Sequence, residues 1–142
     1  MIKILFLCTG NSCRSQMAEG WARQIKTDTI EAYSADIETH GLNSHAVQVM
    51  AEVGVDMTGQ QSQNVEQLNP IDFDYVITVY DNATSSRPVF PGKAKVVHQP
   101  FDDPPRLTRE AATEEEEGLN QYRRVRDEIR RYIESLPQIL TI

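Results

Sequence analysis

The chain has 142 residues, 39% of them hydrophobic, and a formal net charge of -7. That length supports one domain, 1–142, with a real core, while the acidic balance argues against nucleic acid as a partner and leaves room only for a local basic pocket. No apolar run approaches the roughly 18 residues of a membrane span, no leader pattern precedes the first strand, and Cys8 and Cys13 are too few and too close for a secreted disulfide framework, so a reducing cytoplasm is expected.

In chain order, IKILFL (2–7) is a short apolar run that reads as a buried strand. After the segment CTGNSCRS (8–15), a helix starts near Ser15 or Gln16, because Met17, Trp21 and Ile25 fall on one face with Ala18 and Ala22 beside them. EAYSA (31–35) is a second strand, and Ala46, Val47, Val49, Met50 and Val53 form a second amphipathic helix that stops near Gly54. DYVITV (74–79) and AKVVHQ (94–99) are two further strands. The last helix carries Leu119, Tyr122, Val125, Ile129, Ile133 and Leu136 on one stripe and ends before Pro137; its arginines 123, 124, 126, 130 and 131 read as a solvent face. Alternating strands and helices predict an α/β fold: a single three-layer domain, a four-stranded parallel sheet with helices on both faces.

In such sheets ligands collect at the carboxyl ends of the strands, and CTGNSCRS lies at one. Where a helix begins, unpaired backbone N–H groups and a partial positive charge face outward. The amides of Thr9, Gly10, Asn11, Ser12, Cys13 and Arg14 can form an anion nest, with Gly10 supplying the backbone freedom. Arg14 adds a planar fork suited to two oxygens of a tetrahedral oxyanion. Cys8 sits where these potentials converge, which favours its thiolate, and Ser15 is placed to donate to that sulfur. A nucleophile attacking a phosphate-like centre also needs an acid for the leaving oxygen, and Asp102 and Asp103, before Pro104, are the candidates. Cys13 reads either as a thiol able to pair with Cys8 or as a small buried hydrophobe. His40, His45 and His98 have no further ligand at metal-binding spacing, so no metal is expected from them. Trp21 reads as core.

C-x5-R-S on the first strand-loop-helix, with an Asp-Pro loop late in the chain, resembles low-molecular-weight protein tyrosine phosphatases, and more closely the arsenate reductases of that fold, proteins of arsenical resistance. The resemblance runs through CTGNSCRSQMAEGW (8–21), YSADIETHG (33–41), VFPG (89–92), FDDP (101–104) and YRRVRDEI (122–129). It implies that Cys8 is the nucleophile, Arg14 the oxyanion clamp, Ser15 the hydrogen-bond partner of the thiolate and Asp103 the general acid, with Asn11 bracing the loop. In some of these reductases a potassium ion is held partly by residues matching Asn11, Glu19 and Ser34; its carboxylate partner falls here at Gln63.

Two departures matter. Thioredoxin-linked reductases carry two further cysteines where this chain has Tyr80 and Arg87, so Cys13 is the one other thiol available as a resolving group. Phosphotyrosine enzymes of the fold place aromatics beside the acid, whereas Pro105, Arg106 and Leu107 follow Asp103-Pro104, leaving Tyr80 or Phe101 to supply a ring face. Two functions stay open: an arsenate reductase-type enzyme regenerated by an external thiol, such as glutaredoxin, or by Cys13; and a phosphomonoester hydrolase using Cys8 and Asp103. A catalytically idle anion-binding module is the weakest reading. The reductase is preferred, acting as a monomer on a small oxyanion, with no cofactor beyond its thiol reductant.

Overall fold

The computed structural model describes residues 1–8, 13–36, 44–58, 60, 72–79, 94–102, 115–136 and 138–141. Strand β1 (Ile2–Cys8) leads to α1 (Cys13–Ile25), β2 (Ile30–Asp36), α2 (Ser44–Ala51), β3 (Tyr75–Thr78), β4 (Lys95–His98) and α3 (Glu115–Glu134), with a 3-10 turn at Gln138–Thr141. The four strands form one sheet in the order β2-β1-β3-β4, and every neighbouring pair is parallel. Strand β1 is therefore internal, which is why its apolar run is continuous rather than alternating: Ile4 through Cys8 are all fully buried.

The pleat sends alternate β1 residues to opposite faces. Ile4, Phe6 and Cys8 join Ile77 and the apolar sides of α1, α2 and α3 in the larger core cluster. Leu5 and Leu7 join Ala35, Phe73 and Val76 in a second cluster on the other face. Both faces of β1 are thus buried, and the apolar sides of the three described helices all lie in the first cluster. Among the described residues no helix is long and apolar enough to cross a membrane.

Helix α2 stops where its sequence indicates. Gly54 has φ 82°, a left-handed conformation that costs glycine little. The Gly54 N–H donates to Ala51 O at 3.1 Å and the Val55 N–H to Met50 O at 3.0 Å, which together satisfy two terminal carbonyls. Helix α3 buries its expected stripe, Leu119, Tyr122, Val125, Ile129 and Ile133, with Leu136 just beyond its end. Arg126 departs from expectation: it is 8% exposed, not on a solvent face. Its Nη1 donates to Val49 O at 2.9 Å and to Glu52 Oε1 at 3.1 Å, joining α3 to the end of α2. Trp21 is core, as expected, and its Nε1 donates to Arg126 O at 3.1 Å.

A polar cluster joins α1 to β2. The Ser34 hydroxyl donates to Glu19 Oε1 at 2.6 Å, with Gln16 Oε1 at 3.3 Å. Gln60 Nε2 donates to Gln16 Oε1 at 2.8 Å, and Arg23 Nε lies 3.1 Å from Glu19 Oε2. Burial lifts the Glu19 carboxyl above its ordinary value, against the opposing pull of the Ser34 hydrogen bond and the Arg23 charge. A second buried polar group stands on α3: among the described residues, the Tyr132 hydroxyl has no hydrogen-bond partner. Burial pushes its phenol up to about 12.

These two groups generate stability predictions. A buried hydroxyl without a partner costs about 1–3 kcal/mol, so Tyr132→Phe should raise the urea midpoint at unchanged slope; a lowered midpoint would show that the hydroxyl is bonded. Glu19 holds its proton more readily folded than unfolded. Its contribution is therefore fully favourable below the ordinary value of 4.5 and is lost as pH rises toward the raised folded value. The unfolding free energy of Glu19→Gln minus that of the unmodified protein should grow as pH climbs from 4.5 and then level off. A difference that stays flat across that range would mean that burial does not penalise the carboxylate.

Candidate active site

Cys8 is the carboxyl-terminal residue of β1. Because β2 pairs on one side of β1 and β3 on the other, Cys8 lies where the chain reverses its direction of travel across the sheet, the usual place for a crevice in such folds. Helix α1 starts at Cys13, earlier than the sequence pattern indicates. The apolar face that announces the helix begins only at Met17, whereas the first turn consists of Cys13, Arg14, Ser15 and Gln16, all buried. Arg14 and Ser15, the expected clamp and sulfur partner, thus stand on the first turn itself, at the positive end of the helix dipole. Thr9, Gly10, Asn11 and Ser12 lie outside the described residues, as does Asp103. Cys8 and Cys13 are both fully buried and not joined to one another.

Arg14 is 2% exposed. Its Nη1 donates to Phe101 O at 2.9 Å, a buried bond between residues 87 apart in sequence. Phe101 is tied at its other backbone group too: its N–H donates to Val79 O at 3.2 Å, and the Val79 N–H donates to Leu7 O at 2.9 Å. The guanidinium is therefore referenced through two backbone bonds to the residue before Cys8. This carbonyl is a site feature that sequence reasoning missed. A backbone oxygen carries no residue-type signal; its position just after the fourth strand was the one available hint.

Phe101 does not serve the role that its ring suggested. The side chain is 7% exposed and packs edge-on against Tyr132, with ring centroids 6.0 Å apart, so it belongs to the core and offers no stacking face. Tyr80 and Arg87 lie outside the described residues. Asp102 is engaged by Arg124 Nη2 of α3 at 3.0 Å.

Glu19 and Ser34, two of the three residues matched to a potassium site, do come together; Asn11 and Gln63 lie outside the described residues. Both Glu19 oxygens are already engaged, one by Ser34 and one by the Arg23 guanidinium. The carboxylate has its countercharge from the protein, and the described donor set does not form an open oxygen cage for a cation. Of the histidines, His98 Nδ1 lies 2.6 Å from Thr78 Oγ1 and the His45 ring packs against Tyr122 at 5.3 Å, while His40 lies outside the described residues. Among the described residues, no group of three or more His, Cys, Asp or Glu could hold a metal ion.

Comparison with known proteins agrees with this geometry. The model of the low molecular weight phosphotyrosine protein phosphatase family matches residues 3–141. An arsenate reductase of Bacillus subtilis is 48% identical over 126 residues, 89% of this chain and 88% of the relative. An arsenate reductase of Halalkalibacterium halodurans is 43% identical over 135 residues, covering 95% and 94%. Among solved structures, an arsenate reductase in a phosphate-binding state superposes with a TM-score of 0.76 at 30% identity, covering 96% of each chain. With a family match over nearly its whole length and relatives above 40% identity, the chain belongs to the low molecular weight phosphotyrosine protein phosphatase family and is an enzyme of its nucleophilic-cysteine type.

Proposed function

We propose that the chain reduces arsenate, with Cys8 as nucleophile and regeneration by an external thiol or by Cys13. The observation that carries this reading is the buried Arg14 guanidinium, held by the Phe101 carbonyl at the same sheet end as Cys8. Together with the first turn of α1 it favours a tetrahedral oxyanion over a neutral ligand. The similarity to arsenate reductases supports arsenate as that anion.

In the first step the Cys8 thiolate attacks As(V). An S–As bond forms, an As–O bond breaks, and Asp103 supplies the proton with which the departing oxygen leaves as water. Arg14 and the amides of residues 9–14 hold the remaining oxygens, and Ser15 donates to the sulfur. A second thiol then attacks the Cys8 sulfur. The electron pair of the S–As bond stays on arsenic, which departs as As(III), and two thiols have become one disulfide. If Cys13 supplies that thiol, the disulfide is internal and two external thiols are needed to reduce it; otherwise it is mixed with the donor, and one further external thiol restores Cys8. A reducing cytoplasm provides such donors.

A second reading is favoured by one observation: the chain has two cysteines in all, with Tyr80 and Arg87 where a thioredoxin-linked relay would stand. Hydrolysis of a phosphomonoester uses the same Cys8 and Asp103, and water resolves the phospho-cysteine without redox chemistry.

Cys8→Ser should abolish both arsenate reduction and p-nitrophenyl phosphate hydrolysis with the fold intact, because a serine hydroxyl stays protonated at neutral pH; retained activity would remove Cys8 from the mechanism. Asp103→Asn should slow poor leaving groups by about 10²- to 10⁴-fold and good ones far less, and Asp102→Asn should have a much smaller effect. Thioredoxin, its reductase and NADPH as sole reductant should not sustain arsenite production, whereas a glutaredoxin or small thiol should. Multiple turnovers with thioredoxin alone would overturn the requirement for another donor, and Cys13→Ala would then identify the resolving sulfur.

A further inference from the structure

We infer that Arg124, on α3, is a positioning residue for Arg14, acting through Asp102 and the Phe101 carbonyl. The inference rests on the reading of Arg14 as an oxyanion clamp. The carbonyl that fixes Arg14 belongs to the peptide group between Phe101 and Asp102, and both ends of that group are anchored to α3. On one side the Phe101 ring packs edge-on against Tyr132, centroids 6.0 Å apart. On the other, Arg124 Nη2 donates to Asp102 Oδ2 at 3.0 Å. Arg124 is itself held, with Nη1 on Glu128 Oε2 at 2.9 Å and Nη2 3.2 Å from Gln121 Oε1. Rotation of the 101–102 peptide plane would swing the carbonyl away from the guanidinium, and the Asp102 anchor resists that rotation.

The Arg124 and Asp102 side chains are 41% and 53% exposed. A pair so open to solvent adds little to global stability and is screened by salt. Its consequence is therefore alignment of the clamp, which separates this role from a merely structural one.

Binding of inorganic phosphate, followed by calorimetry at low and high sodium chloride, tests the assignment. At low salt Arg124→Ala and Asp102→Asn should each weaken phosphate by about threefold while leaving the urea midpoint unmoved. Arg124→Lys, which keeps the charge, should recover part of the loss, and the double variant should be no weaker than either single one. The gap between Arg124→Ala and the unmodified protein should narrow at high salt. Arg131→Ala, an exposed change on the same helix, should bind phosphate like the unmodified protein. Unaltered affinity in Arg124→Ala, or losses that add in the double variant, would overturn the positioning role. Failure of the unmodified protein to bind phosphate at all would overturn the clamp reading and this inference with it.

Discussion

A guanidinium cannot shed its proton to escape burial, and Arg14 is almost wholly buried. Taking such a charge out of water costs several kcal/mol unless hydrogen bonds and an opposite charge meet it. The Phe101 carbonyl is one such partner, and most of the architecture serves to deliver it. Strand β3 must lie against β1, and the chain after β4 must return beside Val79, before residue 101 can reach residue 14. The sheet order, the register and the packing of α3 against the Phe101 ring all converge on that contact.

Much of this was legible in the residues. IKILFL could be read as a buried strand because a strand in a sheet with one face open to solvent would have shown alternation. Gly54 announced the end of α2 through the only residue type that tolerates its backbone angle cheaply. The stripe from Leu119 to Leu136 carried the period of a buried helix face. Cys8 and Arg14 were visible because few combinations of residues place a nucleophile and a fixed cation on one strand-loop-helix turn.

What escaped the sequence reading shares a physical cause. The start of α1 at Cys13 was hidden because the first turn is built of polar and small residues whose burial depends on the pocket, not on a periodic face. Arg126 looked like its arginine neighbours, yet it lies next to Val125 on the helix and reaches the end of α2, a tertiary contact that composition cannot signal. The Phe101 carbonyl was missed because main-chain oxygens are the same in every residue. In each case the decisive partner comes from an element far away in the chain.

That distance has a consequence for the making of the protein. Residue 101 leaves the ribosome 87 residues after Arg14, a gap of roughly 4 to 17 s at ordinary synthesis rates of about 5–20 residues per second. Throughout that interval the nascent chain carries both cysteines and the buried arginine's sequence without the carbonyl that completes their setting. Long-range closure of this kind also forms late in folding, since its loop entropy must be met before the contact can reward it. The two sulfurs therefore spend their first seconds without the shelter of the finished pocket, dependent on the redox state of the surroundings in which the chain is synthesised.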